Sequence, residues 1–361
     1  MANDPCFTMT GATPKCGKKT LRLDYADRRA LVDLLGASDP QVTRGHTANG
    51  TDVNTGALKR LVSCDMVRWF KVPSAWAMGG DVLGMHVTRA PLIHGTDPLI
   101  LCRWRSLPFT LMNTMDRDTL LCLSVHPSYT RLSMALSTWK RELAGQRFDY
   151  TVMSTEMPCS DLYFHDLFSF EGIAARELGV EPPSVESGLH DIQHKAERAK
   201  LNSTQVRLMR GLLDHPAIPS SALSDTLGIN RQSIARYRSQ FMREGLLRRI
   251  AVPNLDMLGI GVLGAFQFEL ALCEPDIIRE RLRGLSREFR PFSFLNVSSF
   301  SSQFMLTLHG DFGGFQRDVR EVLKRYDEEG ILRAPPFISV MTIPEMFWPD
   351  RCSLSDDFFR Y

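Results

Sequence analysis

Between Asn230 and Arg243 the chain reads NRQSIARYRSQFMR, and Gln232, Arg236, Ser239 and Arg243 recur at three- and four-residue intervals. On a helix that spacing makes one polar stripe. Arg and Gln side chains in such a stripe can pair bidentately with guanine and adenine edges, while hydroxyls and further Arg groups hold phosphates. Ile234, Tyr237 and Phe241 fall on the opposite, apolar side. Asn230 stands where a cap is needed, because its side-chain carbonyl can accept a hydrogen bond from a free amide of the first turn. Asn230, Arg231, Gln232, Ser233 and Arg236 are therefore the candidate base readers, joined by Ser239, with Arg243, Arg248 and Arg249 as phosphate holders. A solvated surface helix would show the same stripe, so the decision rests on the elements around it.

Three neighbours favour DNA reading. Residues 220–227 (SSALSDTL) form a short predicted helix, and Gly228 follows where the backbone must turn sharply through a left-handed conformation. Residues 202–213 (NSTQVRLMRGLL) open with Asn and carry Gln three residues later, a capping box. After Gly245, LLRRIAVP reads as a short basic wing. Charge is concentrated here: residues 201–250 hold eight Arg, no Lys and three acids, a balance of +5, whereas the whole chain carries +2. A duplex would lie against that excess.

The order LNSTQVRLMRGLL, LGINRQSIAR, EGLL and wing resembles the winged helix-turn-helix of the Lrp/AsnC (feast/famine) transcription regulators. Arg238 departs from it, standing where the family keeps an apolar residue, with Tyr237 beside it to take over the packing. The resemblance implies a double-stranded DNA partner, a small-molecule effector and a homodimer on a pseudo-palindromic operator.

The 361 residues suffice for several domains, and 43% hydrophobic with 23% charged is an ordinary globular composition. No apolar run has the length of a membrane span and the N-terminus lacks a signal-peptide core, so no membrane partner and a cytoplasmic location are expected. Eight scattered cysteines without a Cys-x-x-Cys pair argue against a zinc site or disulfide framework. No residue is assigned to a metal, a cofactor or catalysis.

Landmarks recur in order. Leu23 and Leu34–Leu35 match Leu201 and Leu212–Leu213; Val72–Gly84 matches Val252–Gly264; Asn113 and His126 match Asn296 and His309; Val152–Ser154 matches Val340–Thr342. An ordered series over the whole chain marks a duplication. In the second copy a strand at 261–272, a helix opened by Pro275, strands at 292–298 and 303–309, a helix at 315–329 and a strand at 337–343 give a β-α-β-β-α-β order. The expected fold is α+β: two tandem modules, each a winged helix-turn-helix followed by a ferredoxin-like βαββαβ domain of the effector type. The division is a disordered tail (1–20), a degenerate winged helix-turn-helix (21–72), a ferredoxin-like domain (73–158), a helical linker (159–200), the DNA-reading winged helix-turn-helix (201–252), a second ferredoxin-like domain (253–345) and an aromatic tail (346–361). At an offset of 180, NRQSIAR falls on GTDVNTG, which offers Asp52 and no Arg; alternatively TDVNTGALKRLV is a weak recognition helix bearing Lys59 and Arg60.

The turns between the second and third strands of the two ferredoxin-like units read TMDRDT and SSFSSQ where the family carries Gly-Asp, and an effector is expected where those turns converge between paired sheets. His126 and His309, at equivalent strand ends, are read as structural residues bonded to backbone. The enzyme alternative is a fused siroheme-decarboxylase-like protein, since those enzymes share this fold in paired modules; their His-Asn-Tyr stretch is absent from LNVSSF and MNTMDR. A third class, an assembly scaffold, applies if Arg231, Arg236 and Arg243 serve only ion pairs. The expectation is a regulator without enzymatic activity.

Overall fold

A computed structural model of the protein describes residues 23–36, 55–74, 79–89, 109–116, 119–145, 151–181, 200–214, 219–271, 274–343 and 353–354. The tail 1–20, Asp52 and the aromatic tail 346–361 apart from residues 353–354 lie outside them. In chain order, α1 (Tyr25–Gly36) and α2 (Thr55–Ser63) lead into β1 (Val67–Pro73). Then come β2 (Val82–Arg89), β3 (Phe109–Met115), β4 (Thr119–His126), α3 (Tyr129–Gly145) and β5 (Thr151–Pro158). Strand β6 (Tyr163–Leu167) and α4 (Glu171–Leu178) connect to the second half. That half contains α5 (Ser203–Asp214), α6 (Ser220–Leu227), α7 (Arg231–Arg243) and β7 (Leu247–Pro253). It continues with β8 (Val262–Glu269), α8 (Pro275–Phe289), β9 (Ser293–Ser298), β10 (Ser302–His309), α9 (Phe312–Glu329), β11 (Phe337–Thr342) and β12 (Ser353–Leu354).

Two five-stranded antiparallel sheets run β5-β2-β4-β3-β12 and β11-β8-β10-β9-β6. Four strands of each have the ferredoxin-like order, and the fifth comes from elsewhere in the chain. An uncovered edge strand leaves a row of backbone donors and acceptors without partners. Strand β6, from the stretch between the modules, supplies them to β9, and β12, from the C-terminal stretch, supplies them to β3. The stretch 159–200, expected to be a helical linker, thus contains a strand, because residues 163–167 lie against an open sheet edge. Its helical part, α4, ends at Gly179 in a left-handed conformation (φ 62°).

The expected wing is also different. Strand β7 does not fold back within its own module; it pairs antiparallel with β1 of the other, with Phe70 facing Ile250 and Lys71 facing Arg249. Inward residues of both sheets then belong to one continuous core: Leu83, Met85, Leu121 and Leu123 from the first, Leu263, Leu295, Phe304 and Leu306 from the second, together with Leu31, Leu34, Ile234 and Phe241 of the helical units. On the other side of the second sheet Phe266, Phe268, Phe289, Phe315 and Tyr326 form an aromatic cluster under α8 and α9.

The shared core sets an expectation for unfolding. Leu121→Ala should cost about 2–5 kcal/mol and lower the urea midpoint of both halves together, read by Trp fluorescence and by far-UV dichroism. Two separated transitions, only the first of which moves, would show that the sheets do not share a core.

Candidate nucleic-acid interface

The helix-turn-helix of the second module is built from local caps. Asn202 Oδ1 accepts from the Gln205 amide at 2.9 Å, and Gln205 Oε1 accepts from the Asn202 amide at 3.0 Å, so α5 opens on a reciprocal capping box. Gly228 ends α6 with φ 61°, a conformation that a Cβ would strain. Asn230 Oδ1 accepts from the Gln232 amide at 2.8 Å and starts α7. Ile234 and Phe241 are buried and Tyr237 half-buried against the core, which fixes the helix rotation.

That rotation exposes Arg231, Gln232, Arg236, Ser239 and Arg243, while Ser233 is half-buried. The Arg236 guanidinium carbon lies 4.9 Å from the Tyr237 ring centroid. Among the described residues, no carboxylate pairs with Arg231, Arg236 or Arg243. The two remaining candidates are placed otherwise. Arg248 and Arg249 lie half-buried in the β1–β7 ribbon, and burial lowers both pKa values. Arg249 sits 3.9 Å from the Trp69 ring centroid. The strand that carries them is paired with β1 and does not form a free wing.

In the first module α2 is the counterpart of the second half of α7, 180 residues earlier. Gly56 stands at the position of Arg236, Lys59 is exposed at that of Ser239, and Arg60 is paired to Asp27 at 2.5 Å. Among the described residues, that helix carries one uncommitted cation where the exposed face of α7 carries Arg231, Arg236 and Arg243.

The histidines make contacts that the sequence reading did not foresee. His309 Nδ1 lies 2.7 Å from Asp318 Oδ2 and Nε2 lies 2.8 Å from Thr307 Oγ1. Arg176 of α4 holds the same carboxylate at 3.0 Å. Burial works to raise the Asp318 carboxyl, and His309 and Arg176 together outweigh it and keep it low. His126 Nε2 bonds Ser124 Oγ at 2.9 Å, and its Nδ1 has no partner. These partners are side chains where backbone was expected, and for His309 a nine-residue separation hid the carboxylate. His86 and Thr88, the counterparts of Phe266 and Phe268, are buried with Nε2 and Oγ1 unpartnered. The only signal for them was polar residues in an otherwise apolar strand. Among the described residues no group of three His, Cys, Asp or Glu could hold a metal ion. No described helix is long and apolar enough to cross a membrane.

The turns between β3 and β4 and between β9 and β10 each make contacts of their own. Asp116 of the first accepts from the Thr342 amide and hydroxyl at 2.9 and 2.7 Å, on β11 of the second sheet. Ser298 of the second bonds His165 Nε2 on β6, and Phe300 packs edge-on to Tyr163.

No family model matches the chain, and no curated protein matches it by sequence. Among solved structures, the siroheme decarboxylase NirDL is 12% identical, covering 92% of this chain and 96% of that one at a TM-score of 0.46. A transcriptional regulator from Neisseria meningitidis, in complex with L-Met, is 14% identical over 42% of this chain and 95% of its own, at a TM-score of 0.34. An AsnC family transcriptional regulator from Agrobacterium tumefaciens is 13% identical over 44% and 99%, again at 0.34. The fold is two tandem modules of winged helix-turn-helix and ferredoxin-like domain. Identities this low bear on fold alone. The expectation of a protein without enzymatic activity is withdrawn, since a solved structure spanning nearly the whole chain is that of an enzyme.

Two measurements test these local interactions. Asn230→Ala removes the cap of α7 and should lower stability by about 0.5–2 kcal/mol, with Asn230→Asp close to the native protein; equal loss in both variants would show that the cap is not what matters. Burial pushes His86 to about 3 and His126 and His165 to about 4. The unfolded chain takes up these protons near pH 6.5 and the folded one only near 3–4, so stability is full above pH 6.5 and falls as pH drops towards 4. His126→Asn keeps a partner for Ser124 without titrating. It should recover up to about 3 kcal/mol of that acid loss, measured by urea unfolding between pH 7 and 4, and an unchanged pH slope would refute the assignment.

Proposed function

We propose that the chain is a sequence-specific regulator of transcription that binds double-stranded DNA by laying α7 in a major groove. The observation that carries the reading is the unpaired state of Arg231, Arg236 and Arg243 on the outward face of a helix whose other face is locked in the core. A scaffold role was tied to ion pairs at these three positions, and the described residues offer none. Exposed guanidinium groups remain hydrated in the free protein and release counterions from phosphates when a duplex arrives. Gln232 and Arg236 sit one turn apart within the stripe, the separation of readers on neighbouring base pairs. Ser239 and Arg243 extend the stripe towards the backbone.

One competent reader per chain spans half an operator. A homodimer would place two copies of α7 in successive major-groove turns, about 34 Å apart. The intrachain pairing of the two sheets would replace the subunit pairing used by single-module regulators, so the dimer contact uses another surface.

The decisive measurement is fluorescence anisotropy with the protein's own upstream DNA, repeated across a salt series. Arg231→Ala with Arg236→Ala should lose the preference over random DNA, at about 1–3 kcal/mol per lost base contact, whereas Lys59→Ala should change little. The native slope of log K against log salt should be about −0.9 per phosphate neutralised. A native protein that binds no DNA even at low salt ends this reading. If such a protein shifted the Soret band of a tetrapyrrole, the fused siroheme-decarboxylase-like alternative would take its place.

A further inference from the structure

Arg238 is the arginine of α7 that the base-reading stripe does not use. At about 100° per residue it lies roughly 120° around the helix from the middle of that stripe. It is half-buried, and its charge acts on Lys71 and Arg249 in the β1–β7 ribbon. Lys71 and Arg249 face each other across the ribbon, so their side chains leave the same face. Arg249 rests over Trp69 on that face. Lys71 is only 8% exposed. Lys71 and Arg249 thus share one face of the ribbon, the charge of Arg238 acts on both, and among the described residues no acid pairs with any of the three.

A buried Lys is ordinarily paired with a carboxylate, or it extends its ammonium to water. Here the strand register and the packing of Tyr237 and Phe241 hold like charges together. Burial, then Arg238 and Arg249, push the Lys71 ammonium down to about 8. Guanidinium forks beside an ammonium match the oxygens of a phosphate group, which accepts from both.

We propose that Lys71, Arg238 and Arg249 form a phosphate-binding site at the seam of the two modules, with Trp69 as its floor. The position on the flank of α7, away from the base-reading stripe, favours a free phosphate-bearing small molecule over a DNA backbone phosphate. Its occupant would brace α7 against the first module. That last consequence rests on the DNA-binding reading; the site itself does not.

The test melts the full chain in chloride and in inorganic phosphate or pyrophosphate at matched ionic strength, without DNA. Native protein should be stabilised by phosphate. Lys71→Met should lose at least about tenfold in phosphate affinity while melting no lower than the native protein in chloride, since it removes a buried unpaired charge. Arg238→Gln, at a half-exposed position, provides the same loss if Lys71→Met fails to fold. Arg231→Ala with Arg236→Ala should bind phosphate as the native protein does. The proposal falls if phosphate does not stabilise native protein, if Arg238→Gln retains native phosphate affinity, or if the Arg231/Arg236 variant loses it. A calorimetric titration of phosphate into the protein with saturating duplex separates the sources. Unchanged affinity supports a free ligand, and one-for-one competition by DNA would overturn that assignment.

Discussion

The pairing of β1 with β7 is the constraint on which the rest depends. Among the described residues the two strands form a sheet of their own, and a lone two-stranded pair is marginal in water. It persists here because both strands are anchored in cores at either end, with Val67, Val72, Leu247 and Val252 buried in the common cluster. Residues 70 and 250 are equivalent in the repeat, and they face each other in the ribbon. The local two-fold axis therefore passes through that pair. Once it is fixed, the two helix-turn-helix units and the two sheets have no freedom to separate, and each sheet's fifth strand is delivered from a distant part of the chain.

The two halves have diverged within this frame in ways that follow from single positions. Gly56 for Arg236 and the Arg60–Asp27 ion pair leave α2 as a packing helix. Under the sheets, Phe266 and Phe268 join stacked rings that include Tyr326, 4.4 Å from Phe268 by centroid. At the equivalent places His86 bonds Ser154 Oγ at 2.8 Å, and Thr88 has no partner. An aromatic interior gains from area and ring contact, whereas a polar one depends on hydrogen bonds that are incomplete here. Under the first sheet the His86 ring instead packs edge-on to Trp139, within a cluster of Val82, Leu120, Leu132 and Leu136.

What was legible in the sequence was whatever a few neighbouring residues decide. Asn202 with Gln205, Gly228 and Asn230 announce helix ends, because a cap is an interaction between near neighbours in the chain. The alternation and spacing of the second ferredoxin-like domain gave its strands and helices within a few residues of where they lie. Illegible features all join distant segments. Nothing in YFHDL says that β9 needs an edge partner, and nothing in LRRIAVP says that its partner is VRWFKVP 180 residues earlier. The same reasoning applies to Arg249: its type fits phosphate contacts, and only the register shows that it stands opposite Lys71 in the ribbon. His309 with Asp318 and Arg176 escaped because its third member comes from α4, across the boundary of the modules.

Fusion of the copies into one chain is itself a physical condition for this asymmetry. In a homodimer every substitution appears twice, on both sides of the axis, so a like-charge cluster would be built in duplicate beside the same ribbon. In a fused pair it appears once. Across the axis from Lys71 and Arg249 stand Ala251 and Trp69, their repeat equivalents, and the Trp69 ring lies under the guanidinium of Arg249. One side of the axis thus holds charge that the other side supports with an aromatic surface. Symmetric subunits could not divide those roles, because each would have to carry both residue types at one position.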